Sequence, residues 1–172
     1  MSEHAGEDLR VRTVTWANPE TSARDAASVN GFDYLQSILD GRTAPPPITQ
    51  LVGYRLIAID NGRVVFELEP GEHQYNPFAS VHGGIVSTVL DSAMAAAVLS
   101  TLPVGLNCTT VELKVNLVHP ITTRTGSVRC EGTVIHVGTR IATAEAKLRD
   151  VNNKLYAHAV STCLILRVRD SK

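Results

Sequence analysis

Between residues 110 and 118, Val111, Leu113, Val115 and Leu117 alternate with Glu112, Lys114 and Asn116. A period of two predicts a β-strand with one dry face and one wet face. Further runs predict strands over 53–59, 63–69, 126–137, 140–149 and 155–168. The fifth of these six strands sets Ala142, Ala144, Ala146 and Leu148 on one face. Asp60-Asn61-Gly62, Gly138-Thr139 and the polar run 150–153 supply turns, and connections this short make the sheet mostly antiparallel. One stretch has a different rhythm. Residues 83–101 are apolar at helical spacing and close with Leu102-Pro103-Val104-Gly105, which predicts a helix of about five turns. A long apolar helix among antiparallel strands must be covered. A strongly curved sheet wrapped around it does this, so the expected fold class is α+β.

Ahead of these strands the pattern is weaker. Phe32, Leu35, Ile38 and Leu39 recur at helical spacing before Gly41, predicting a short amphipathic helix. The polar residues 1–30 read as a loosely held arm, and Pro45-Pro46-Pro47 as a stiff extended connector. The expected organisation is an arm with its helix and connector over 1–47, then a main domain over 48–172.

Composition narrows the function. A net charge of −1 on 172 residues argues against nucleic-acid binding through bulk charge, while leaving room for a local basic patch. Cys108, Cys130 and Cys163 are widely spaced with no CxxC and read as buried thiols in a reducing compartment. The first ten residues lack the basic and apolar regions of a signal peptide, and the longest apolar run, 93–99, is far too short to span a bilayer. A cytoplasmic protein without a membrane partner is the expectation. The six histidines show no H-x3-H pair, so no metal is expected, and no G-x-S-x-G elbow is present.

The chemistry gathers in NPFASVHGGIVSTVLDS, residues 76–92. Gly84, Ser87, Thr88, Asp91, Ser92 and Ala95 fall on one side of the long helix at i, i+3, i+4 spacing. This strip is either a solvent face or the lining of a cavity. The absence of any Lys, Arg or Glu from the helix favours the cavity. His82-Gly83-Gly84 opens the same helix. Free N–H groups there attract negative charge, and glycine admits a ligand close to the backbone, so a carbonyl oxygen gaining charge could be held there. Alternatively, His82 caps the helix and the glycines only turn the chain. Gly83 and Asp91 lie roughly 12 Å apart along a helix axis. For both to act on one carbonyl they must come from different chains, as two helices packed antiparallel across a two-fold axis would allow.

Asn76–x5–His82-Gly83-Gly84–x6–Asp91, followed by the run from Thr109-Thr110 to His119-Pro120, resembles the PaaI-type hotdog-fold acyl-CoA thioesterases over about residues 48–167. The resemblance implies a curved antiparallel sheet around one helix, and homodimers paired into tetramers that hydrolyse acyl-CoA without a cofactor. It implies that Gly83 offers its N–H to the thioester carbonyl. Asp91 of the partner chain would then act as nucleophile or general base, and Asn76 would position the carbonyl or the water. A hydroxyl, Thr110 with Thr109 as competitor, would hold the water. Gly138 and Arg140 sit where relatives place a glycine and a basic residue near CoA phosphates; Arg124 and Lys147 stand behind them. The sequence departs from the pattern three residues before the histidine, where glycine gives way to Ala79, and in carrying aspartate where some relatives have glutamate. Two other functions compete: a hotdog acyl-CoA hydratase or dehydratase, which would need a second histidine beside the acid, and a non-catalytic acyl-CoA sensor. For the acyl pocket, Phe78, Met94 and Val98 are candidates, with Phe32, Tyr34 and Leu35 from the arm.

Overall fold

The computed structural model describes residues 9–168; residues 1–8 of the arm and 169–172 of the main domain lie outside the described residues. Four helices, α1 (Pro19–Ser28), α2 (Gly31–Leu39), α3 (Pro47–Val52) and α4 (Gly83–Leu99), accompany six strands: β1 (Tyr54–Asp60), β2 (Arg63–Leu68), β3 (Leu106–Leu117), β4 (Val128–Val137), β5 (Ile141–Asp150) and β6 (Leu155–Arg167). The strands form one sheet in the order β1-β2-β4-β5-β6-β3, every neighbouring pair antiparallel. The sheet curves around α4, which packs on β2, β3, β4, β5 and β6. This is the curved antiparallel sheet around one helix that the pattern predicts, and the hotdog architecture that the resemblance implies.

Small residues let helix and sheet approach closely. Ala93 and Ala97 are fully buried, as are Ala142 and Ala144 opposite them. At Gly132 of β4, a Cβ atom would stand only 2.3 Å from the Ala93 carbonyl oxygen, a separation no side chain tolerates. Val89, Leu90, Met94 and Val98 fill the remaining core with Leu68, Val128 and Leu148.

Three readings of the pattern need correction. From residue 9 on, the arm is tied to the rest of the chain. Asn18 caps α1 by accepting from the Glu20 N–H, and Pro19 opens the helix, where its missing N–H costs nothing. Arg12 donates to the carbonyls of Leu51 and Gln50 at the end of α3. Next, Pro47 is no longer connector. It starts α3, and Gly53, expected as strand, is that helix's C-cap at φ 90°, a conformation that favours glycine. Finally, Val111 leaves the inward row of β3, because the β3–β6 register shifts between Thr110 and Glu112, and that row is not dry, since Leu113 and Leu117 are exposed and Val115 is half-buried. The strand also begins four residues earlier than the expected 110.

Candidate functional site

The loop before α4 is held by its own polar groups. Asn76 Oδ1 accepts from the Phe78 N–H at 2.8 Å and the Ser80 N–H at 3.4 Å, and the Asn76 N–H returns to the Ser80 carbonyl. This folds the loop so tightly that Ala79 lies at φ 57°, the left-handed region where glycine would be unstrained. The chain thus keeps the loop's path without the glycine that the resemblance calls for. His82 N–H then bonds the Gln74 carbonyl and Val81 N–H the Ile121 carbonyl, which fixes the entry to α4.

His82 is the N-cap of α4. Its Nδ1 accepts the Gly84 N–H at 2.9 Å, which puts the ring proton on Nε2 by assignment from that bond. The Gly84 N–H is therefore used, whereas among the described residues no partner takes the Gly83 N–H. The first helical residue thus presents a free donor at the positive end of a 17-residue helix. Leu117 of β3 lies against it, its Cδ1 2.8 Å from where a Gly83 Cβ would be.

Eight residues on, Asp91 is half-buried and its Oδ1 accepts from Thr110 Oγ1 at 2.7 Å. The rest of the strip is quieter. Ser87 and Thr88 donate to the Gly83 and Gly84 carbonyls one turn back, and Ser92 pairs with the Tyr54 hydroxyl at 2.7 Å. Asp91 is the strip's one carboxylate, and Thr110 occupies only one of its oxygens. Cys163 lies beside the pair, its Sγ 4.0 Å from Thr110 Oγ1. Hydrogen bonding with Cys108 pulls its thiol below the ordinary range, against the opposing effect of burial. The cysteines are all free, and Cys130 and Cys163 are buried. Among the described residues no three His, Cys, Asp or Glu side chains converge on a metal-sized site, and no helix is long and apolar enough to cross a membrane.

The structure brings Asp91 and Thr110 together, and it sets His82, Gly83, Gly84 and Asn76 at the other end of the helix segment. The unbroken α4 keeps the roughly 12 Å between Gly83 and Asp91. Thr109 is exposed and alternates to the opposite face from Thr110. Gly138 closes the β4–β5 turn by donating to the Ile141 carbonyl. Arg140 is exposed on that turn, and its carbonyl accepts from Ile165, whose register partner is Cys108. The Arg140 backbone is therefore two strand spacings, about 10 Å, from Cys108. Lys147 is paired with Glu145, and Arg124 is exposed in the 3-10 turn at 123–125.

Of the acyl-pocket candidates, Met94 and Val98 are wholly buried between α4 and the sheet, and Phe78 is 87% exposed. Tyr34 and Leu35 do line a cavity of about 300 Å³ between the arm and α4, with Ser92, Ala95 and Leu99 on its helix side. Tyr54 and Cys108, which also line it, were not anticipated; no local pattern links Tyr54 to a serine 38 residues away.

Comparison with known proteins matches residues 78–157 to the thioesterase superfamily. A 1,4-dihydroxy-2-naphthoyl-CoA hydrolase of Listeria monocytogenes is 28% identical over 118 residues, spanning 69% of this chain and 93% of its own. Among solved structures, a phenylacetic acid degradation-related protein from Ralstonia eutropha JMP134 matches with a TM-score of 0.69 at 26% identity, over 76% of this chain and 98% of its own. The PaaI protein of Escherichia coli matches in fold, with a TM-score of 0.65 at 20% identity over 72% and 86% of the two chains.

Proposed function

We propose that this chain, similar to the thioesterase superfamily over residues 78–157 and to a phenylacetic acid degradation-related protein in sequence and fold, is a PaaI-type hotdog thioesterase that hydrolyses the thioester of an acyl-CoA to a free acid and CoA. The observation that carries the mechanism is the Asp91 carboxylate, held on one oxygen by Thr110 at 2.7 Å with the other left to act. The Gly83 N–H, free among the described residues, receives the thioester carbonyl, and the helix end stabilises the negative charge that builds there. Asp91 of the second chain takes a proton from water as the water oxygen attacks the carbonyl carbon. The C–S bond then breaks and the thiolate leaves with a proton as CoA. Direct attack by Asp91, through an anhydride that water opens, uses the same groups.

The need for a second chain agrees with the edge of the sheet. β3 is an edge strand of 12 residues, with Val111 57% and Leu117 56% exposed. Such an edge invites pairing. A second copy joined there would form a homodimer with two equivalent sites, and pairing of dimers would build a tetramer. Arg140 and Gly138 are offered as CoA contacts, with Gly84 near the thioester; Thr109, on the opposite face of β3 from Thr110, is no longer a competitor for the water.

The test is thiol release from acyl-CoA by purified protein and by Asp91→Asn. Release should fall by about a thousandfold in the variant while its oligomeric state is unchanged. Undiminished release by the variant, or an active monomer, overturns the mechanism. Absence of release from any acyl-CoA by the unaltered protein turns the reading toward an acyl-CoA sensor.

A further inference from the structure

The small-residue strip of α4 does not stop at Asp91. It continues through Ser92, Ala95, Ala96 and Leu99 into the cavity of about 300 Å³. Sheet residues Leu56 and Phe66 line it as well, and the rest of its wall comes from the arm: Tyr34, Leu35 and Ile38 of α2, then Pro45 and Pro46. The family match begins only at residue 78, so this wall lies outside it.

The wall is fixed in place. The Gly31 N–H donates to the Leu102 carbonyl at 3.0 Å, and a Cβ at Gly31 would collide with the Leu99 carbonyl oxygen at 1.8 Å. The start of α2 therefore rests directly on the last turn of α4. Several polar groups around the cavity are already engaged. The Tyr54 hydroxyl pairs with Ser92, Thr49 donates to the Pro46 carbonyl, Asn107 accepts from the Cys108 N–H, and Arg55 is bound to Glu67. Satisfied polar groups and an apolar lining suit hydrocarbon rather than a nucleotide.

We infer that α2 and the proline segment close the acyl pocket and set an upper size limit on the acyl group, with Leu99 two turns of α4 beyond Ser92. This rests on the thioesterase reading above, because the occupant is the acyl group of the ester whose carbonyl meets Asp91, the neighbour of Ser92. A cavity of 150 Å³ holds one benzene ring, so this one holds about a dozen non-hydrogen atoms. Acyl groups up to that size enter and long-chain groups do not.

The experiment measures kcat/KM for acetyl-, octanoyl- and tetradecanoyl-CoA in the full chain and in two variants. Ile38→Ala enlarges the pocket, and the tetradecanoyl-to-octanoyl ratio should rise about fivefold. Ala95→Phe fills it, and the octanoyl-to-acetyl ratio should fall about tenfold. Ratios taken within one preparation do not depend on how much of it is folded. If both ratios stay within about twofold of the parent's, the inference is overturned. If no acyl-CoA is cleaved, the hydrolase reading fails and the pocket is judged by calorimetric titration with a dodecyl-CoA thioether. Binding weakened about tenfold by Ala95→Phe upholds the pocket, and unchanged or absent binding refutes it.

Discussion

Between Thr110 and Glu112 the pairing of β3 with β6 slips by one residue, and the candidate site depends on that slip. Simple alternation from Val111 to Leu117 would put Thr110 on the wet face beside Glu112. The bulge takes up Val111 instead. Thr110, opposite buried Cys163, then faces α4 and reaches Asp91, while Glu112 faces outward to bond Thr162. Bulges often re-aim a side chain in this way. Asp91 and the glycines could be read from the sequence, because a lone acid and a helix-opening His-Gly-Gly stand out against an apolar helix. The facing of Thr110 could not, because the bulge is a matter of pairing between strands distant in the chain. Replacing Thr110 by Val should leave the fold intact and free Asp91 to rotate. A misplacement of about 1 Å then costs kcat about a hundredfold. Thr110→Ser keeps the hydroxyl and should restore most of that loss. Steady-state kinetics of the two variants check this; equal rates for Val and Ser would assign the bond a merely structural role.

At the scale of elements, the sheet and α4 were legible for different reasons: alternation and short turns mark the strands, and α4 is a long apolar run with a single acid between a His-Gly-Gly start and a proline-glycine close. The helices of the arm were not all so clear. No residue of α1 is buried, so it leaves no hydrophobic stripe; its signals are the Asn18 cap and Pro19. α3 spans only six residues, too short for a period to emerge. α2 was found from its apolar spacing, but not its docking, which depends on Gly31 lying against Leu99 across the chain. Gly31→Ala should therefore cost about 1–3 kcal/mol, read as a lowered denaturant midpoint. It should also raise the protease sensitivity of residues before 47. Such a variant with unchanged stability would show that α2 is held by its side chains alone.

The whole molecule is where the two halves of NPFASVHGGIVSTVLDS separate. The free Gly83 N–H and the Asp91–Thr110 pair stand at opposite ends of one continuous helix segment, about 12 Å apart, so a single chain offers two half-sites. Two inactive variants test whether a second chain completes them. In one, Asp91→Asn removes the base. In the other, Gly83→Pro removes the N–H and adds a ring to which the flexible end of Leu117 must yield. Gly83 is the first helical residue of α4, and His82 before it has φ −60° and ψ 136°, a conformation compatible with a following proline. Each variant alone should be nearly inactive in thiol release. Co-expressed and assorted at random, half of the dimers contain one of each. Each mixed dimer pairs one intact Gly83 with one intact Asp91, and activity should return to about a quarter of the parent's. If the site were contained within one chain, every chain in the mixture would still lack one of its groups, and no activity would return. Recovery from two inactive parents would thus place Gly83 and Asp91 of each site on different chains, with the exposed edge of β3 as the seam that joins them.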